Sequence, residues 1–89
     1  MILLSKTLPQ FWSLYDELSE NIRRQADKQY ALFTHNPFHP SLRLKQIGPF
    51  WSVRVSRSYR ALALREGDIF TWVWIGSHDA YKRFLGSRR

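Results

Sequence analysis

Trp51-Ser52-Val53-Arg54-Val55-Ser56-Arg57-Ser58-Tyr59-Arg60-Ala61-Leu62-Ala63-Leu64-Arg65, followed after Glu66-Gly67-Asp68 by Ile69-Phe70-Thr71-Trp72-Val73-Trp74-Ile75, decides the fold. The stretch is rich in β-branched and aromatic residues, and its two breaks are too short for anything but tight turns. It therefore predicts strands over Phe50–Val55, Tyr59–Arg65 and Ile69–Ile75 joined as antiparallel hairpins. Alternation sorts the first strand: Trp51, Val53 and Val55 share one face, and Ser52, Arg54 and Ser56 share the other. The apolar set packs on helices and Arg54 faces solvent. The second strand is apolar on both sides, as a central strand is, so pattern alone leaves the direction of Arg60 open. In the third, Phe70, Trp72 and Trp74 alternate with Ile69, Thr71, Val73 and Ile75. One set must be covered by the chain's ends or stand as a base-stacking platform beside the arginines, and core burial is the preferred reading.

Working outward, the N-terminal side of this sheet is helical. Thr7-Leu8-Pro9-Gln10 reads as a capping box, with Pro9 tolerated in the first turn. Phe11, Leu14, Tyr15, Leu18, Ile22, Ala26, Tyr30 and Phe33 then recur at three- and four-residue intervals, the spacing of one apolar helical stripe. Ser19 is placed to cap a second helix, which makes a helical hairpin of the segment, and Asn36-Pro37 stops it. His35 to Ser41 reads as a loop and Gly48-Pro49 as the turn into the sheet. Met1 to Ser5 is an edge-strand candidate. Past Gly76, Ser77 caps a short helix over Asp79 to Leu85 with Gly86 as its stop. The expected class is α+β, one domain over residues 1–89: edge strand, helical hairpin, antiparallel meander, short final helix.

Composition narrows the function. Hydrophobic residues make up 44% of the chain and aromatic ones 16%, enough apolar area to oppose the entropy of ordering, so the chain folds. Cysteine is absent and His35, His39 and His78 lack zinc spacing, which leaves no metal or cofactor site in the sequence. The longest apolar run is far short of the roughly 18 residues of a membrane span, and no secretory leader is legible, so the expected location is the cytoplasm. Charge is unevenly placed. Residues 1–41 balance four basic side chains with four acidic ones, and residues 42–89 set ten against three, so the second half carries the whole net charge of +7. Clustered Lys and Arg suit nucleic acid, whose condensed counterions they release, or an acidic protein partner.

The Tyr59-Arg60 strand start, the basic strand before it, Asn36-Pro37-Phe38-His39-Pro40-Ser41-Leu42-Arg43-Leu44-Lys45 and the ending Trp74-Ile75-Gly76-Ser77-His78-Asp79-Ala80-Tyr81 together resemble the RelE/ParE superfamily of toxins encoded beside an antitoxin. The resemblance covers nearly the whole chain. It implies the α+β toxin fold, a cognate antitoxin as partner, and one of two activities: ribosome-dependent, metal-independent cleavage of mRNA, or inhibition of DNA gyrase without nuclease activity. A non-toxic binding module is the third alternative.

For the nuclease branch the resemblance implies attack of an RNA 2′-hydroxyl on the adjacent phosphorus, giving a 2′,3′-cyclic phosphate and a 5′-hydroxyl. A proton must be taken, a proton given, and charge on the transition state stabilised. His78 is the candidate acid or base, with Tyr81 sharing that role or stacking on a base. Arg54 and Arg60 are the candidate phosphate-binding and catalytic cations, and Lys45 a supporting phosphate contact. Arg60 matches the arginine after tyrosine in RelE-type members, and Arg54 matches a lysine. Ser52 stands where those enzymes carry a second basic residue. Plain structural roles compete: His78 and Asp79 opening the last helix, Tyr81 packing on the sheet. Arg23 and Arg24 are expected on a solvated helix face, and Arg88 and Arg89 in a basic tail.

Overall fold

The computed structural model describes residues 4–86. A first strand, β1 (Leu4–Thr7), leads into a helical hairpin, α1 (Pro9–Asp16) and α2 (Glu20–His35). A 3-10 turn at Pro40–Leu42 is followed by β2 (Lys45–Ile47), β3 (Phe50–Ser56), β4 (Tyr59–Glu66), β5 (Ile69–Ser77) and α3 (His78–Gly86). The five strands form one sheet in the order β1-β5-β4-β3-β2, with β1 parallel to β5 and the other pairs antiparallel. This is the α+β arrangement the sequence predicts. Of the strand expected at Met1 to Ser5, residues 1–3 lie outside the described residues, and so do Arg88 and Arg89.

The helices form for the reasons read in the sequence, with one exception. Ser19 Oγ accepts the Ile22 amide at 3.3 Å and starts α2, so the chain breaks into two helices there. Thr7 and Gln10 do not make a capping box. The N-cap of α1 is Leu8, which has no side-chain oxygen to offer. Thr7 is held in the parallel ladder opposite Trp72, one residue too early to cap, and its Oγ1 accepts the indole N–H of Trp12 at 2.9 Å. The Gln10 amide turns to the Val73 carbonyl at 3.2 Å and pins α1 to β5. Arg23 also differs from its expected place on a solvated face. Its guanidinium donates to the Leu18 carbonyl just past the end of α1, satisfying a group the helix cannot.

The short strand β2 is absent from the sequence reading because Lys45-Gln46-Ile47 is too brief and too polar to signal one. It is created by the hairpin to β3, whose two-residue turn is Gly48-Pro49. Gly48 takes φ +57 there, a conformation that costs glycine nothing.

Two apolar layers enclose the sheet. Phe11 of α1 and Phe33 of α2 pack on Val53, Val55, Ala61, Phe70, Trp72 and Ile75. On the opposite face Tyr81 and Phe84 of α3 pack on Phe50, Leu62, Val73 and Trp74. The alternation of β5 resolves through a bulge: Leu62 pairs with Trp74 and Ala63 with Trp72, leaving Val73 as the extra residue. Before it Phe70 and Trp72 face α1 and α2, and after it Trp74 faces α3. Neither aromatic set is a stacking platform, since Phe70, Trp72 and Trp74 are all buried.

Candidate functional site

Strand register gathers the basic residues. Arg54 and Arg60 are direct partners across β3 and β4, Arg60 also opposes Gly76 of β5, and Lys45 opposes Ser52 across β2 and β3. Directly opposed side chains point to the same face, so Lys45, Ser52, Arg54 and Arg60 share the α3 side of the sheet. The direction of Arg60, open in the sequence, is thereby fixed. Two arginines side by side repel, and no carboxylate relieves them: the only ion pair among the described residues is Arg24–Glu20 on α2. A bound anion lowers that standing cost.

α3 brings the other two candidates to the same end of the sheet. Ser77 Oγ accepts the Ala80 amide at 3.2 Å and opens the helix, and the His78 amide donates to the Ser58 carbonyl at 2.7 Å, tying the start of α3 to the β3–β4 turn. His78 and Tyr81, one helical turn apart, stack with ring centroids at 5.6 Å and planes 20° apart. The Arg60 guanidinium carbon lies 5.6 Å from the centroid of the Tyr81 ring, a cation–π distance. Arg60, Tyr81 and His78 therefore form a row, with Arg54 beside Arg60. Lys45 shares the face from the exposed edge strand and touches none of them.

Tyr81 is only 6% exposed and belongs to the α3 core with Trp74 and Phe84. Every buried side-chain nitrogen or oxygen among the described residues has a partner, and the Tyr81 hydroxyl has none, so that oxygen is the part of the side chain that reaches solvent. Ser52 is fully buried and accepts from Arg60 Nη1 at 3.5 Å. Its role as the support beneath Arg60 escaped the sequence reading, which put it on a solvent face, because nothing in β3 tells that α3 closes over that face. Gly76 was missed as well. A Cβ there would stand 2.8 Å from the Trp74 ring, so the indole folds over a position that only glycine leaves open. No cluster of three or more metal-ligating side chains occurs among the described residues, and no helix among them is long and apolar enough to cross a membrane.

Comparison with known proteins gives this geometry a family. The ParE-like toxin domain matches residues 20–83, from the start of α2 into α3. The chain belongs to the ParE-like toxin domain family. It is a type II toxin of the RelE/ParE superfamily. No curated protein sequence matches this chain. Solved structures extend the similarity to the N-terminal elements. The toxin resembles YafQ from E. coli BL21(DE3), at 10% identity over 89% of this chain and 97% of that one, with a TM-score of 0.69. It resembles YafQ in the E. coli DinJ–YafQ toxin–antitoxin complex, at 8% identity over 90% and 97%, TM-score 0.71. The RelB–RelE antitoxin–toxin complex of Methanococcus jannaschii gives 14% identity over 90% and 98%, TM-score 0.68. At these identities the likeness is one of fold, and fold alone does not fix activity.

Proposed function

We propose that the protein is a ribosome-dependent mRNA endonuclease that arrests translation in the cytoplasm and is neutralised by a cognate antitoxin. The observation that carries this reading is the row Arg60–Tyr81–His78 with Arg54 alongside: two unneutralised guanidinium groups and an imidazole linked through the Tyr81 ring at one end of a sheet. In-line attack of the 2′-oxygen on phosphorus breaks the bond to the 5′-oxygen. Water takes the proton of the attacking 2′-hydroxyl, Arg54 and Arg60 hold the nonbridging oxygens as their charge rises, and His78 gives a proton to the leaving 5′-oxygen. Tyr81 works chiefly through its neighbours, aligning His78 by stacking and Arg60 by its ring face. Lys45 draws the flanking phosphate as a point charge. No metal or cofactor takes part in this scheme.

The test is induced expression with mapping of transcript 5′ ends. Wild-type protein is expected to leave cuts at defined codon positions in translated messages, and Arg60→Ala to leave none. Equal growth arrest by both proteins without new transcript ends overturns the reading.

A second reading, inhibition of DNA gyrase through protein contacts, is favoured by Ser52. Its complete burial means that β3 offers this face one cation, Arg54, instead of two. Purified protein at saturating concentration that leaves gyrase supercoiling unchanged removes it.

A further inference from the structure

On the other side of the sheet an open notch of about 470 Å³ lies between α2, the turn at Pro40–Leu42 and the β3–β4 turn. Lys28, Arg43 and Arg57 are exposed around it, Arg54 contributes to its wall, and no acidic side chain lines it. None of these cations is in an ion pair, since Arg24–Glu20 is the only one among the described residues. The floor is tied down: Gln29 Nε2 donates to the Arg54 carbonyl at 2.9 Å and the Ser41 carbonyl at 3.3 Å, joining helix, turn and strand. Arg43 stands at φ 47, ψ 46, a left-handed conformation that favours glycine or asparagine. It is the one non-glycine residue with positive φ among the described residues, so the fold keeps an arginine where another residue would sit at lower cost.

We infer that this notch is a second nucleic-acid contact, holding backbone phosphates on the α2 side of the sheet, opposite Arg60 and His78. Cations with amide and hydroxyl donors are the chemistry that phosphate oxygens take up. A docked peptide needs a buried aromatic or aliphatic anchor, and here only Pro40 and Val55 are apolar. Without an aromatic ring the notch cannot stack bases, so it reads charge and spacing and not sequence. Arg54 meets the notch at its backbone carbonyl, which accepts from Gln29, while its strand partner is Arg60, so the notch and the candidate site flank the same end of β3. The inference concerns binding and does not depend on whether that site cleaves.

The experiment is fluorescence anisotropy of the whole protein with a labelled 2′-O-methyl RNA 20-mer, which lacks the attacking hydroxyl, over a range of KCl concentrations. Lys28→Gln/Arg57→Gln is expected to weaken binding by at least about five-fold and to make the salt slope shallower by about 0.7 for each phosphate that the variant no longer neutralises. Arg43→Gly is expected to weaken binding while its Tm stays level or rises, since glycine is unstrained there. Unchanged affinity and slope in the double variant overturn the inference, as does a fall in Tm for Arg43→Gly, which would mark Arg43 as structural. Polyglutamate of equal charge should displace the strand poorly. Displacement as strong as by unlabelled RNA, and abolished in the double variant, assigns the notch to an acidic protein and overturns the nucleic-acid reading.

Discussion

Arg60 and Tyr81 meet across the boundary between sheet and helix, the guanidinium carbon 5.6 Å from the ring centroid, and this contact couples the most basic strand pair to the last helix. Tyr81 is at once a core residue and the surface on which Arg60 and His78 rest. Tyr81→Phe keeps ring, stack and cation–π contact and is expected to change unfolding free energy by less than about 0.5 kcal/mol. Tyr81→Ala empties a core position and is expected to cost about 3 kcal/mol, in the range of large aromatic truncations. Urea denaturation of both variants checks the pair. If Tyr81→Phe abolishes mRNA cutting at unchanged stability, the hydroxyl itself takes part in the chemistry and Tyr81 is more than a support.

The two helix starts make a sharp comparison. Ser19 caps α2, so Ser19→Ala is expected to lower stability by about 1 kcal/mol. Thr7 is a polar strand end that accepts an exposed indole N–H, so Thr7→Ala is expected to cost about half as much, the net worth of one exposed hydrogen bond. A larger loss for Thr7→Ala in thermal or urea unfolding would show that the Trp12 contact orders all of α1.

These helix starts also show where sequence reading reached its limit. Ser19 is legible because a cap is a local event: serine, an acid behind it, an apolar period following. Thr7 offers a local signature of its own, a hydroxyl with Gln10 three residues on, and a long-range parallel pairing with Trp72 overrides it. The alternation of Trp51, Val53 and Val55 is likewise sufficient to orient β3. Trp74 defeats alternation because one inserted residue, Val73, switches the phase, and nothing in Thr71-Trp72-Val73-Trp74 signals a bulge. Of the candidate site, residue types and their strand positions were readable, and their grouping around Tyr81 depends on how α3 folds back, which the short helical signal does not determine.

A titratable bond joins the two N-terminal helices. Tyr15 on α1 donates its hydroxyl proton to Asp27 Oδ1 of α2 at 2.7 Å, and this bond, followed by burial, raises the Tyr15 pKa above its ordinary value. A tyrosine raised on folding contributes stability that is whole below its unfolded pKa of about 10 and is lost as pH climbs through the folded value. The stability difference between wild type and Tyr15→Phe is therefore expected to be constant from pH 7 to about pH 9.5 and to shrink above it. A difference that persists undiminished at pH 11 would mean that the Asp27 bond does not supply it.

Ser52 tests whether the site lacks a cation by accident of sequence or by construction. In the nuclease branch a basic residue belongs at that strand position, and Ser52→Lys looks like the substitution that restores it. The structure argues otherwise. Ser52 has no exposed surface, its hydroxyl sits beneath Arg60, and it opposes Leu62 in a packed row under α3. A lysine there must either bury its ammonium next to a guanidinium or push α3 away, and overpacking alone costs about 1–3 kcal/mol before the buried charge is counted. Ser52→Lys is expected to lose more than about 2 kcal/mol of stability and to gain no mRNA cutting. Ser52→Ala is expected to cost less than about 1 kcal/mol, because the bond to Arg60 is long and that guanidinium keeps the Tyr81 ring. Unfolding midpoints and transcript-end maps measured on both variants decide the matter. A Ser52→Lys protein as stable as wild type and more active would show that α3 can lift from the sheet, and that the buried row is one of two states of the site.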